Sequence, residues 1–165
     1  MYTRLRLRPG FCQQPCTNQP QRVSRSMTDA MTYRLDDQIG YLLRRVTQRH
    51  LAIFASAIPE VTTTQFAVLA RLNEIGPVSQ NHLGRATAMD AATIKGVVDR
   101  LAKLGMVATT PDPADRRRLT VSLTDAGQAL FRDRTRTALA VSEETVSPLT
   151  PDEALLLKGL LLRLT

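Results

Sequence analysis

The residues predict a mainly α-helical fold with one small β-hairpin, and three observations carry that expectation. Helix signals recur from Leu35 to the C-terminus. A single pair of short alternating runs flanks Asp112-Pro113-Ala114-Asp115-Arg116-Arg117-Arg118: Met106 to Thr110 leads in, and Leu119, Val121 and Leu123 lead out, alternating with Thr120 and Ser122. Two helices joined by about three residues stand directly ahead of that hairpin, the order of a winged helix-turn-helix. Proline at 111 and 113 fits strand ends and turns.

In chain order, residues 1–32 mix Arg, Gln, Pro, Thr and Ser with no apolar period and read as a disordered basic tail, which leaves 33–165 as one domain. Met27 and Met31 are alternative starts. No continuous apolar region follows the early arginines, so the tail is not a secretory signal. From Leu35 the apolar residues Ile39, Leu42, Leu43, Val46, Ile53, Phe54 and Ala57 keep helical spacing, interrupted by His50, and the helix must stop before Pro59. Thr62 with Gln65 forms a capping-box pattern for a second helix carrying Phe66, Leu69, Leu72 and Ile75, closed by Gly76-Pro77. Ser79 caps a short third helix with Leu83 and Ala86 inward. Thr87-Ala88-Met89 is the turn, and Asp90 caps a fourth helix that runs to Leu104 and stops at Gly105.

Beyond the hairpin, Thr124 caps a long helix whose apolar positions Ala126, Ala129, Leu130, Leu139, Val141 and Val146 are sparse. Pro148 breaks it, and Thr150-Pro151-Asp152-Glu153 opens a last helix with leucine on almost every face. So greasy a helix needs cover. A two-fold partner supplies it, so 33–58 and 125–165 are expected to be dimerisation helices around a winged helix-turn-helix at 62–123; burial against the first helix is the alternative.

Charge points to nucleic acid by its clustering rather than its sum. The net charge is +7, but residues 1–34 hold six Arg against one Asp. In 62–123 the basic residues gather at Arg116, Arg117 and Arg118, whose guanidinium forks suit phosphate oxygens or a narrow minor groove, although such a run can also be merely a solvated tip. The fourth helix sets Ile94, Val97, Val98, Leu101 and Leu104 on one face and Ala92, Thr93, Lys95, Gly96, Asp99, Arg100 and Lys103 on the other. Ala91 and Ala92 suit a thymine methyl, Thr93 and Lys95 suit base acceptors or phosphates, and Arg100 and Lys103 suit phosphates. Gly96 either lets the DNA backbone approach or relieves crowding against the third helix. Asp115 has the wrong sign for DNA and is expected to orient a neighbouring Arg, with Asp99 doing the same for Arg100 or Lys103.

Enzymatic chemistry finds no converging nucleophile or acid-base pair: the folded part has two His, no Cys and scattered carboxylates. Cys12 and Cys16, without nearby His, make neither a zinc site nor a disulfide framework. No metal or cofactor is expected, no stretch is long enough to span a membrane, and a cytoplasmic location follows. His50 sits on the first helix's apolar stripe with Arg45 and Arg49 at its border. It is either a satisfied core or interface residue, or part of a site for an aromatic carboxylate.

The run Leu83-Gly84 to Asp90-Ala91-Ala92-Thr93-Ile94-Lys95-Gly96-Val97-Val98-Asp99-Arg100-Leu101, then Leu104-Gly105, Asp112 to Arg118, and Leu123-Thr124-Asp125-Ala126-Gly127, resembles the multiple-antibiotic-resistance regulator (MarR) family over about residues 35–164. The resemblance implies a homodimeric repressor, built by its first and last helices, that binds a pseudo-palindromic operator in double-stranded DNA and is released by a small aromatic acid. It implies Ser79 and Gln80 in the DNA-binding set with the fourth-helix residues, and Asp115 and Arg117 as the family's wing pair. Gly40-Tyr41-Leu42-Leu43-Arg44-Arg45, Gln48-Arg49-His50 and Met89 to Gly96 are similar to members controlling breakdown of aromatic and heteroaromatic acids. The alternative is a DNA-binding protein that is architectural or answers to no ligand.

Overall fold

The computed structural model describes residues 32–111 and 119–165; the expectations for the tail and for Asp112 to Arg118 lie outside the described residues. The chain divides at Arg34/Leu35, and every element below belongs to Leu35–Thr165. After a 3-10 turn at Leu35–Asp37 come α1 (Ile39–Ala57), α2 (Thr63–Ile75), β1 (Val78–Ser79), α3 (Gln80–Ala86), α4 (Ala91–Lys103), β2 (Val107–Pro111), β3 (Leu119–Leu123), α5 (Asp125–Thr145) and α6 (Pro151–Leu162).

The caps determine where the helices begin. Thr62 accepts from Gln65 N–H while Gln65 Oε1 accepts from Thr62 N–H at 2.8 Å, a reciprocal box that also satisfies the buried Gln65 amide oxygen. Thr150 and Glu153 repeat the device at α6, with Pro151 in its first turn. Asp90 accepts from Ala92 and Thr93 N–H, both at 2.9 Å, to start α4. The 3-10 turn displaces the expected start of α1 from Leu35 to Ile39, because Gln38 N–H closes on Leu35 O instead of continuing an α-helix.

The core lies within the winged unit and along its seam with α1 and α5: Phe54, Ile58, Val61, Val68, Leu69, Leu72, Leu83, Ile94, Val97, Val98, Leu101, Val107, Val121 and Val141 are buried. Phe131, which the spacing of α5 did not bring out, packs against it from that helix. Two expected core positions point elsewhere. Leu104 is 52% exposed because it is the C-cap of α4, where Gly105 at φ +71° turns the chain off the helical stripe. Ile75, the last residue of α2, is also exposed.

The sheet has three antiparallel strands in the order β1-β3-β2, with Val78 opposite Val121 and Val107 opposite Leu123. The two-residue β1 was not expected, since a strand that short shows no alternation. It ties the start of α3 to the hairpin through Ser79 opposite Thr120.

Two glycines explain how elements approach. A Cβ on Gly84 would lie 3.1 Å from Met89 O and 3.2 Å from Ile94 Cγ2, so the α3–α4 turn closes over Gly84. Crowding against α3 does not account for Gly96: a Cβ there would meet only the Arg100 guanidinium, at 3.6 Å. At Gly127 a Cβ would fall 2.0 Å from Met106 O. The first turn of α5 therefore sits on the base of β2, where Thr124 Oγ1 donates to Gly105 O at 2.6 Å and Thr124 N–H to Met106 O at 3.2 Å.

On α6 no residue is buried; Leu155, Leu156, Leu160 and Leu162 are exposed, as is Leu164 just beyond its end. Ile39, Leu42, Leu43 and Val46 on α1 are exposed too. Within the single chain, then, α6 does not bury its leucines against α1. Among the described residues, no helix is long and apolar enough to cross a membrane.

Candidate DNA interface and effector site

The outer face of α4 presents Ala91, Ala92, Thr93, Lys95, Asp99, Arg100 and Lys103, all exposed, with Gly96 half-buried among them. Its N-terminal turn is rigid. Asp90 Oδ1 holds two backbone N–H groups, and Oδ2 accepts from Thr93 Oγ1 at 2.6 Å. These bonds, the Thr93 hydroxyl first, hold the Asp90 carboxyl below the usual aspartate range, so it stays ionised at the helix N-terminus. Because the Thr93 proton is committed to Asp90, Thr93 can offer a base only its lone pairs and its methyl.

Asp99 does not serve Arg100 or Lys103. It accepts from Lys95 Nζ one turn earlier, at 2.6 Å, since i,i+4 places that lysine directly beside it. Arg100 and Lys103 have no ion pair among the described residues and remain available to phosphates. Ser79 caps α3, its Oγ accepting from His82 N–H at 3.3 Å, and Gln80 follows half-buried at the first position of that helix. Asp115, Arg116, Arg117 and Arg118 lie outside the described residues, but β2 and β3 register their connection from Pro111 opposite Leu119.

The α1 candidates meet α5. Arg49 donates from Nε to Thr145 O at 3.1 Å and from Nη2 to Glu144 O at 3.0 Å and Ser147 Oγ at 3.1 Å. A cation on the last carbonyls of a helix also meets the negative end of its dipole. His50 Nδ1 lies 2.9 Å from Thr145 Oγ1, and its ring centroid stands 6.3 Å from that of Phe54. Phe54 continues to Phe66 and Phe66 to Phe131, at 5.7 and 5.5 Å, so one aromatic file joins α1, α2 and α5. Arg45 stands apart: it lies over the Tyr41 ring and 3.9 Å from Asp36.

A cavity of about 390 Å³ opens beside this file, lined by Leu51, Phe54, Ala55, Ile58 and residues 59–63 and 65. That volume suits a monocyclic aromatic molecule. None of Arg45, Arg49 and His50 lines it; Phe54 is the link between the cavity and His50. Glu60, which lines the cavity from the α1–α2 loop, has its carboxyl held below the usual glutamate range by a backbone hydrogen bond first and then by donation from Arg134 of α5. Sequence reasoning missed Thr145, Glu144 and Ser147, because a partner about 95 residues away leaves no local pattern. Among the described residues no cluster of His, Cys, Asp or Glu could hold a metal.

Similarity to known proteins agrees with this architecture. The profile of the MarR family matches residues 60–118. The HTH-type transcriptional repressor NicR of Pseudomonas putida is 42% identical over 127 residues, 76% of this chain and 80% of that protein. A probable transcriptional regulator from Pseudomonas aeruginosa shares 51% identity with a TM-score of 0.77, covering 80% of this chain and all of the other. Bordetella bronchiseptica BpsR, solved in a study of how 6-hydroxynicotinic acid regulates its DNA binding, shares 39% identity with a TM-score of 0.76, covering 81% of this chain and 96% of its own. With that identity and coverage behind the hairpin, the helix pair and the paired caps, the chain belongs to the MarR family of winged helix-turn-helix transcriptional regulators, DNA-binding proteins and not enzymes.

Proposed function

We propose that the protein is a homodimeric repressor that binds a palindromic operator and is released by a small aromatic acid. In this reading α4 enters the major groove, with Ala91, Ala92, Thr93, Lys95 and Gly96 toward bases and Ser79, Gln80, Arg100 and Lys103 toward phosphates, while Arg116, Arg117 and Arg118, oriented by Asp115, form the wing. The exposed leucines of α6 and the outer stripe of α1 form the two-fold interface, which sets two α4 helices about one DNA turn apart.

The observation that carries the effector reading is the meeting of Arg49 and His50 at the C-terminus of α5, with Phe54 linking His50 to a cavity that neither of them lines. A guanidinium and an imidazole beside an aromatic side chain are groups that can hold an aromatic carboxylate. Arg45 completes the set one turn away. A ligand seated there touches the helices that fix the spacing of the two DNA-binding lobes, and it shifts the operator equilibrium only by as much as it prefers the wrong spacing. NicR's description as a repressor and the 6-hydroxynicotinic acid response of BpsR support the same direction.

The test is footprinting and gel shift on the promoter region, with and without aromatic acids. Two symmetrical half-sites, lost on adding an acid with a coupling of ~1–3 kcal/mol, are expected. Protection of every sequence alike, unmoved by any acid, would give the architectural alternative.

A further inference from the structure

The bond between Thr93 and Asp90 fixes the polarity with which the start of α4 meets a base. Thr93 Oγ1 and Asp90 Oδ2 lie 2.6 Å apart, and only one of them has a hydrogen to share. The carboxylate has none. Its Oδ1 accepts from Ala92 and Thr93 N–H, both at 2.9 Å, and donation from the Thr93 hydroxyl first and then from the Thr93 amide holds the group ionised. Turning the Thr93 hydrogen toward a base would leave two bare oxygens 2.6 Å apart, one of them charged. The hydrogen therefore stays with Asp90, and the exposed Thr93 meets a base through the lone pairs of Oγ1. Sequence alone suited Thr93 to base acceptors; the committed hydrogen turns that round.

No other side chain of that turn reverses the polarity. Those of Ala91 and Ala92 carry no polar atom, the Asp90 carboxylate only accepts, and the amides of Ala92 and Thr93 are already bound to it. The next side-chain donor along α4 is Lys95, whose Nζ is drawn one turn further to Asp99 at 2.6 Å. When a recognition helix enters the major groove, its first residues meet the base edges. There adenine N6 and cytosine N4 are donors, whereas guanine O6 and N7 and thymine O4 are acceptors. A hydroxyl lone pair is matched by an amino base and set against another lone pair by a keto base.

We propose, building on the operator reading above, that Thr93 is a specificity-determining residue that accepts a hydrogen bond from the exocyclic amino group of adenine or cytosine, with Asp90 as the positioning residue that sets this polarity by holding the Thr93 hydrogen. On the strand that Thr93 meets, the half-site carries an amino base at that position, not guanine or thymine. Asp90→Asn reverses the assignment. Its side-chain oxygen must take the two backbone N–H groups, since an NH2 cannot accept them, and the NH2 turns to Thr93 as a donor. The Thr93 hydrogen is then free for the base.

The experiment uses the full chain to select duplexes from a random-sequence pool. The selected half-site is rebuilt with single analogues, purine for each adenine and pyrimidin-2-one for each cytosine, which remove the amino group alone. In the wild type one position is expected to lose about 3- to 10-fold in affinity without its amino group, and about 10-fold or more when guanine or thymine stands there. In Thr93→Val, close in shape but without lone pairs, that amino group should matter by less than about twofold. In Asp90→Asn the preference at that position should pass to guanine or thymine. An operator in which no amino group matters, or in which Thr93→Val or Asp90→Asn leaves the base preference unchanged, overturns the proposal while the operator reading stands. Equal binding of all pool members removes the operator reading itself. Should Asp90→Asn fail to fold, the analogue series on the wild type and Thr93→Val decides the matter by itself.

Discussion

Replacing Gly127 with alanine separates what this fold requires from what helix propensity alone would recommend. Gly127 is the third residue of α5, where alanine is ordinarily favoured over glycine by up to about 1 kcal/mol. Here the added Cβ would lie 2.0 Å from Met106 O and 2.9 Å from Met106 C, atoms of the main chain at the foot of β2. An ordinary carbon–oxygen contact needs roughly 3.3 Å, so the helix must retreat by more than an ångström. Overpacking of this kind costs about 1–3 kcal/mol. The retreat also opens the Thr124 Oγ1 bond to Gly105 O and the Gly127 N–H bond to Thr124, each worth about 1 kcal/mol. A net loss of about 2–4 kcal/mol follows, or roughly 5–15 °C in melting temperature for a chain of this size. Urea and thermal melts at one fixed protein concentration measure it. If Gly127→Ala melts with or above the wild type, the close packing of α5 on β2 is wrong.

Three further outcomes are expected. Leu156→Lys on α6, where Leu156 is 63% exposed in the single chain, should remove about 2 kcal/mol of apolar burial from each protomer, weakening a dimer some 1000-fold; sedimentation reads it, and an unchanged dimer would move the interface elsewhere. Asp90→Ala should destabilise the fold at neutral pH by uncapping α4. Since hydrogen bonds to Thr93 depress the folded-state pKa of Asp90, its contribution is present above the unfolded value near 3.9 and lost as pH falls through the lower folded value, so the gap between variant and wild type should close on acid titration below about pH 4. Arg117→Ala should weaken operator binding and reduce the salt slope by about one unit if that guanidinium replaces a phosphate counterion; weakening with an unchanged slope would make its role steric.

The sequence alone determined the helices of this protein and most of their ends. Caps and helix breakers act within four residues, and Thr62-Gln65, Asp90, Gly105 and Thr150-Glu153 act as their spacing requires. Period-3.6 patterning likewise found the inner face of α4 through Leu101. What tertiary structure decided involves partners distant in sequence. The attachment of Arg49 and His50 to Thr145, the two-residue β1 opposite Val121, and the closeness of Gly127 to Met106 each join segments about twenty to a hundred residues apart, and no local pattern records such a meeting. Short-range electrostatics fell between the two. The Lys95–Asp99 pair was available to i,i+4 spacing, but the choice among Lys95, Arg100 and Lys103 depended on side-chain geometry that only the folded helix provides.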